Sequence, residues 1–253
     1  MDTYSLLIFL TVVAIGSYIQ TVTGFALGLV IMGAVTLLNL SPVAFVAIVV
    51  SLLALVNSSL ALLKEGHSVH WRTVRLVVAG LVPAVFIGLK LLDYLSMQSV
   101  ATLKTVLGVF IIGSGLLLVY KPHPKPKRDG DASFFGIGMV GGLFGGLFST
   151  GGPPIVFHLY RQPLQLNVIR TTLLAIFIAA TIVRITYVGL RGDINRDVIE
   201  LALYSMPLVL LFTWIGKRWR PPLSDLAMRR VAFGLLIVLG VMLLIPKDMV
   251  AGG

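Results

Sequence analysis

Gly141-Gly142-Leu143-Phe144-Gly145-Gly146-Leu147-Phe148-Ser149-Thr150-Gly151-Gly152-Pro153-Pro154 is the stretch whose reading decides how this chain folds. Its first part is apolar and rich in glycine. Pro153 and Pro154 donate no backbone hydrogen bond, so a helix can begin at them but cannot run through. The stretch therefore reads as one helix stopping near Ser149 and another starting near Pro153, with the break inside apolar sequence. A matching feature stands near the N-terminus. Tyr4 to Leu40 is 37 residues, about 55 Å as one helix, against a hydrocarbon core of about 30 Å. That is too long for one straight span. Its polar interruption falls at Gln20, Thr21, Thr23 and Gly24, which predicts a second broken helix.

The composition explains why such breaks matter. Of 253 residues, 57% are apolar and 12% charged, with a mean hydropathy of +1.00. An ordinary soluble domain carries about 25% charged residues, so this chain cannot cover a water-exposed globule. It reads as an all-α polytopic membrane protein, which excludes a soluble enzyme, a nucleic-acid module and a disordered tail. The net charge of +10 is accounted for by basic cytoplasmic loops, so no nucleic acid is implied as a partner. Cysteine is absent, which removes disulfides, thiolate chemistry and Cys-ligated metal. No cofactor and no metal site is expected. The only charge before Lys64 is Asp2. A cleavable signal peptide needs a basic n-region, so the first apolar segment is expected to be retained.

Apolar runs fall at about 4–22, 24–40, 43–63, 73–92, 100–119, 133–148, 152–160, 166–190, 198–216 and 228–245. Residues 121–131, with Pro122, Pro124 and Pro126 among Lys121, Lys125, Lys127 and Arg128, form a basic linker between two halves, 1–120 and 132–253. A shift of 126 places Gly16 on Gly142, Gly66 on Gly192 and Gly108 on Gly234; after small gaps Thr23-Gly24 falls on Thr150-Gly151 and Pro83 near Pro207. Each coincidence is weak, but together, in segment order, they indicate duplication, a common origin of transporter folds.

Charge then fixes the expected orientation. If each half is a broken or re-entrant helical hairpin plus three transmembrane helices, the halves insert oppositely and the N-terminus lies outside. Fourteen of the 20 basic residues then fall in cytoplasmic loops. If each broken stretch crossed once instead, the basic loops of the two halves would face opposite sides, against the positive-inside bias. The expectation is two inverted repeats in a cytoplasmic membrane.

Unpaired backbone in lipid costs several kcal/mol per group, so breaks at this depth are tolerated where they line an enclosed cavity. A half-helix starting after a break turns its N–H groups and positive dipole end toward the centre. Two such breaks meeting would favour an anion. Gly138, Gly142 and Gly146, spaced four apart, fit helix packing instead. Hydroxyls and paired prolines serve packing poorly. The expected substrate-binding residues are therefore Gln20, Thr21, Thr23 and Gly24 at the first break and Ser149, Thr150, Gly151 and Gly152 at the second.

Arg184, in Ala179-Ala180-Thr181-Ile182-Val183-Arg184-Ile185-Thr186, is a charge inside a span. It either pairs with a substrate anion or snorkels toward the end marked by Arg191. Asn57 and Ser58, near the repeat-related position, would bond a substrate or a neighbouring helix. His158 is a candidate for proton coupling, against a bland reading as a helix-end histidine bonded to backbone. Arg161 and Arg170 read as cytoplasmic anchors. No carboxylate stands well inside a predicted span, which points away from proton or sodium coupling.

The run from Gly141 to Pro154 resembles the second-half signature of the TauE/SafE family of membrane transporters. Gln20-Thr21-Val22-Thr23-Gly24-Phe25-Ala26-Leu27-Gly28-Leu29 resembles its first-half partner. The likeness extends over nearly the whole chain, including the duplication and the basic central loop. Ala26 stands where a glycine is frequent in that family, and Met32-Gly33 where a proline often follows. The resemblance implies export of sulfite, sulfoacetate or a related organosulfonate, with a small anion and the lipid bilayer as partners and a homodimer left open. The alternatives are an anion channel and an intramembrane serine hydrolase using Ser149 and His158. The hydrolase requires the Ser149 hydroxyl within hydrogen-bond reach of the imidazole.

Overall fold

A computed structural model describes residues 2–23, 25–63, 66–119, 124–219 and 225–245, without the side chains of 23, 118–119 and 225–233. The described chain is helical: α1 (Thr3–Thr23), α2 (Leu27–Leu37), α3 (Val43–Leu62), α4 (Trp71–Gln98), α5 (Val100–Val119), α6 (Asp131–Phe148), α7 (Gly152–Tyr160), α8 (Leu166–Leu190), α9 (Arg196–Arg218) and α10 (Asp225–Leu244). Each apolar run of the sequence became one helix, and no strand occurs among the described residues. Seven helices are long and apolar enough to cross a membrane. The outward sides of these helices are apolar too, as lipid requires: Leu7, Ile87, Leu116, Ile182 and Leu210 are exposed.

Local chemistry sets the boundaries. Asn195 caps α9 by accepting the Val198 N–H at 3.0 Å, and His70 Nδ1 caps α4 by accepting that of Thr73 at 3.3 Å. Pro83 and Pro207 lie inside α4 and α9, which neighbouring helices make tolerable in a membrane. The sequence reading stopped its fourth run at residue 92, before Asp93. The helix continues to Gln98, and Asp93 stays within it, partly exposed and paired with Arg191.

Both breaks are real, and the chain doubles back at each. In the second half, α6 ends in a left-handed residue, Ser149 (φ 56°), and α7 begins at Gly152. The return brings the His158 ring to 5.0 Å from the Phe134 ring, edge to face, near the start of α6. In the first half, Ala26 (φ 97°) precedes α2. Leu6, near the start of α1, shares a cleft with Ser41 and Pro42, just past α2. The arms are unequal: α1 and α6 are long enough to span, whereas α2 has 11 residues and α7 has 9.

Helices pack across the halves. α4 lies on α6 and α8, α9 lies on α1 and α3, and α3 meets α8 as α5 meets α10. These pairings turn into one another when α1–α5 are exchanged for α6–α10. The α4–α6 contact is close because glycines line it. A Cβ at Gly138, Gly142 or Gly146 would strike the carbonyl of Val77, Leu81 or Val85 respectively. Gly141 and Gly145 face the other way, toward α7 and the interior.

Candidate functional site

The two breaks touch. A Cβ on Gly28 would sit 3.0 Å from Thr150 Cβ and 3.2 Å from the Ser149 carbonyl oxygen. The hydroxyls of Ser51 on α3 and Ser149 lie 2.7 Å apart. Around this junction is a cavity of about 60 Å³, room for a small anion or a few waters. Gln20, Phe25, Ala26, Gly28 and Ser58 line it from the first half, and Ser149 to Pro153, Phe177, Thr181 and Arg184 from the second. Among the described residues no carboxylate is in that lining.

The expected site residues separate into those at the cavity and those behind it. Gln20 closes the first break: its Oε1 accepts the Leu27 N–H at 3.2 Å, and its Nε2 donates to Asn57 Oδ1 at 2.9 Å and Ser58 Oγ at 3.3 Å. Asn57 is fully buried and outside the lining. Its Nδ2 donates to Thr213 Oγ1 at 2.7 Å and to Thr21 Oγ1 at 3.5 Å. Asn57 thus bonds neighbouring helices. Thr21 is also behind the wall, donating to the Ser17 carbonyl at 2.8 Å. Ser58, Ser149, Thr150, Gly151 and Gly152 face the cavity. Gly24 and the side chain of Thr23 lie outside the described residues.

The tip of α7 is poorer in amides than a helix start usually is. Pro153 and Pro154 occupy its second and third positions, so donation there falls to the amides of Gly151 and Gly152. The cationic character comes mainly from Arg184, which is 2% exposed. Its Nη1 donates to the Gly145 carbonyl at 2.9 Å and to that of Gly146, in the last turn of α6. A guanidinium there complements the negative end of the helix dipole. Its Nε and Nη2 are buried and find no partner among the described residues. Arg184 therefore caps α6 with one edge and offers two unmet donors with the rest.

Arg170 was missed as more than an anchor. Its Nη2 donates to the Thr21 carbonyl at 3.0 Å, in the last turn of α1. One helix, α8, thus sends an arginine to the C-terminal end of each long broken helix. No local sequence signal marks this, since Arg170 and Thr21 are 149 residues apart.

His158 lies away from the cavity, at the opposite end of α7 from the break. Its Nε2 is 3.9 Å from Asp129 Oδ2. From Gly152 to His158 the helix rises about 9 Å, and Ser149 is already bonded to Ser51. The Ser149–His158 pair required of a hydrolase is not formed. Asp129 is held by Lys125 at 2.5 Å and by Gln162 Nε2 at 2.9 Å. These hydrogen bonds keep its carboxyl below the usual aspartate range. The linker is thereby clasped to the end of α7.

The sequence is similar to known proteins along most of its length. The family model for "Sulfite exporter TauE/SafE" matches residues 8–243. A protein of Cupriavidus necator, described as "Probable sulfite/organosulfonate exporter TauE", is 41% identical over 231 residues, covering 91% of this chain and 90% of that one. A second, the "Probable inner membrane transporter protein TsaS" of Comamonas testosteroni, is 27% identical over 179 residues, covering 70% and 73%. No solved structure matches.

Proposed function

The chain belongs to the TauE/SafE family of membrane transporters, and from that premise we propose that it exports a small oxyanion, sulfite or an organosulfonate such as sulfoacetate, through the cavity at the joined breaks. The observation that carries this reading is Arg184: a buried guanidinium with Nε and Nη2 unpartnered, on the wall of a cavity whose lining holds no carboxylate. A buried cation with unmet donors is costly until an anion supplies acceptors. An oxyanion with oxygens at the hydroxyls of Ser58, Ser149 and Thr150 and at Arg184 would supply them. Gln20, Thr21 and Asn57 hold the first break in shape behind or beside it.

The two halves are read as inverted repeats, with residues 1–120 and 132–253 joined by the basic linker. The exchangeable helix pairings support a duplication and the charge bias supports the inverted insertion; on that reading the linker face is cytoplasmic and the N-terminus outside. A cell interior negative by 100 mV favours exit of each negative charge by about 2.3 kcal/mol. Export is then electrogenic and needs no coupling proton. The transport route lies within one copy of the chain, so assembly as a homodimer, read from particle mass in nanodiscs, is a separate matter.

Sulfite flux in proteoliposomes under an imposed potential tests the reading. The expected result is saturable flux that rises with potential and is stimulated by counterflow. Flux that ignores voltage and follows a pH gradient would transfer the mechanism to proton coupling, with His158 as its candidate. Flux that never saturates would make the protein a channel.

A further inference from the structure

The geometry points to one face of α8 as the wall along which the anion leaves the central cavity, with Arg184 dividing that cavity from a second cleft and the Arg191–Asp93 pair closing the cleft at its mouth. The inference rests on the proposed function and extends it beyond the site itself.

Arg170, Phe177, Arg184 and Arg191 recur every seven residues. Seven residues of α-helix return to within about 20° of the same direction, so the four form one stripe along α8 and its C-terminal cap. The cavities follow that stripe. Phe177 and Arg184 line the central cavity. Arg184, Val188 and Arg191 line a cleft of about 370 Å³ on the face away from the linker. Among the described residues Arg184 alone is common to both linings. It is held across the boundary by the carbonyls of Gly145 and Gly146, leaving Nε and Nη2 unpartnered.

The far end of the cleft has different electrostatics. Arg191 is bonded to Asp93 of α4, and its Nε lies 3.1 Å from an Asp193 carboxylate oxygen. Asp93 and Arg191 are each partly exposed, so water reaches the pair. An anion that leaves Arg184 meets Arg191 about 10 Å further on, where two carboxylates already compete for the guanidinium. With both carboxylates competing, Arg191 gives the anion only a weak hold and releases it to water instead of trapping it, as conduction requires. Exchange of Asp93 for the anion on Arg191 would also release α4 from the end of α8. Arg170, at the other end of the stripe, keeps a buried Nε without a partner.

The chain has no cysteine, so single thiols can report on the route. Phe45→Cys places one in the cleft, and Thr181→Cys places one in the central cavity lining. Each is labelled in oriented vesicles, from either face in turn, with membrane-impermeant sulfonatoethyl methanethiosulfonate or its trimethylammonium counterpart. Rates are normalised to free thiol. From the face away from the linker, Phe45→Cys is expected to label readily with either reagent, because Arg184 and Arg191 share its surroundings with Asp93, Asp193, Asp197 and Glu200. Thr181→Cys is expected to label from that face more slowly, and several-fold faster once Arg184→Ala or Arg184→Gln removes the divider. Sulfoacetate, which does not react with the reagents, should slow labelling at Thr181→Cys.

Labelling of Thr181→Cys only from the linker face would overturn the route. So would a rate indifferent to both Arg184 substitutions while Phe45→Cys still reacts normally. Because labelling needs no transport, absence of sulfite flux with the labelling pattern intact would defeat the substrate assignment and leave the route standing.

Discussion

Asn57 on α3 and Arg184 on α8 stand 127 residues apart, the same interval that separates Thr23-Gly24 from Thr150-Gly151, and they do matching work in the two halves. Each is buried, and each bonds to the end of the long broken helix of its own half: Asn57 to Gln20 and Thr21 of α1, Arg184 to Gly145 and Gly146 of α6. The two corresponding positions differ in charge. The neutral side chain is fully used by Gln20, Thr21 and Thr213, whereas the cation keeps two donors unmet. One member stabilises its break and the other is available to a ligand.

Replacing Arg184 separates those duties. Arg184→Gln removes the charge, and hydrogen bonds to a charged group are worth about 1.5–3 kcal/mol. Sulfite affinity should fall roughly 10- to 100-fold, read from the concentration dependence of thermal stabilisation. Arg184→Ala should in addition lower the melting temperature without ligand, because the carbonyls of Gly145 and Gly146 lose their donor. An unchanged sulfite response in Arg184→Gln would take the anion away from this cavity.

Ala26 sits at φ 97°, in a region that favours glycine. Holding a residue with a Cβ there costs about 1–3 kcal/mol. Removing its buried methyl costs about 0.8 kcal/mol. Ala26→Gly should therefore be neutral to slightly stabilising. Ala26→Val, β-branched in a left-handed conformation, should destabilise by about 2 kcal/mol or more. Thermal denaturation in one detergent compares the three. A tolerated valine would mean that the first break is not held in this geometry.

Most of the fold was legible because the signals are local. Pro153-Pro154 stops a helix wherever it stands, and an apolar run between polar breaks is a helix in any membrane. The breaks were legible for the same reason. The support behind them was not. Asn57–Thr213, Arg170–Thr21 and Ser51–Ser149 join residues 156, 149 and 98 positions apart, and nothing in the neighbourhood of either partner announces the other. Asp93 misled for a related reason: a lone acid after an apolar run reads as a helix end, whereas here it stays within the helix, paired with the distant Arg191. The proline pair also carried information against the amide-rich tip expected of α7, since a residue that starts a helix without an N–H cannot donate one to a ligand.

The glycines of α6 give a test with a built-in control. A Cβ at Gly142 would come within 2.5 Å of the Leu81 carbonyl oxygen, whereas one at Gly136, on the same helix, meets nothing within 4 Å. Gly142→Ala must push α4 away and should cost several kcal/mol, as overpacked contacts do. Gly136→Ala gains helix propensity of up to about 1 kcal/mol. Opposite signs in melting temperature are expected. Equal behaviour of the two variants would mean that α4 and α6 are not in close contact.

The linker clasp depends on the charge of Asp129. Its carboxyl is held below the ordinary aspartate range first by its hydrogen bond from Lys125 and then by that from Gln162. A lowered carboxyl pKa means that the folded state favours the charged form. The clasp therefore contributes fully above the unfolded aspartate value of about 4 and is lost as the pH falls through the lower folded value. Two amides report on it directly: Lys125 N–H donates to the Arg161 carbonyl at 2.8 Å, and Asp129 N–H to Gln162 Oε1 at 3.0 Å. In hydrogen exchange corrected for intrinsic rates, both should stay protected at pH 7 and lose protection toward pH 3. Asp129→Asn removes the charge at every pH, so the same two amides should already exchange several-fold faster at neutral pH, with those in the middle of α6 unaffected. Protection indifferent to both acid and the substitution would show that the linker is held to α7 by its backbone contacts alone.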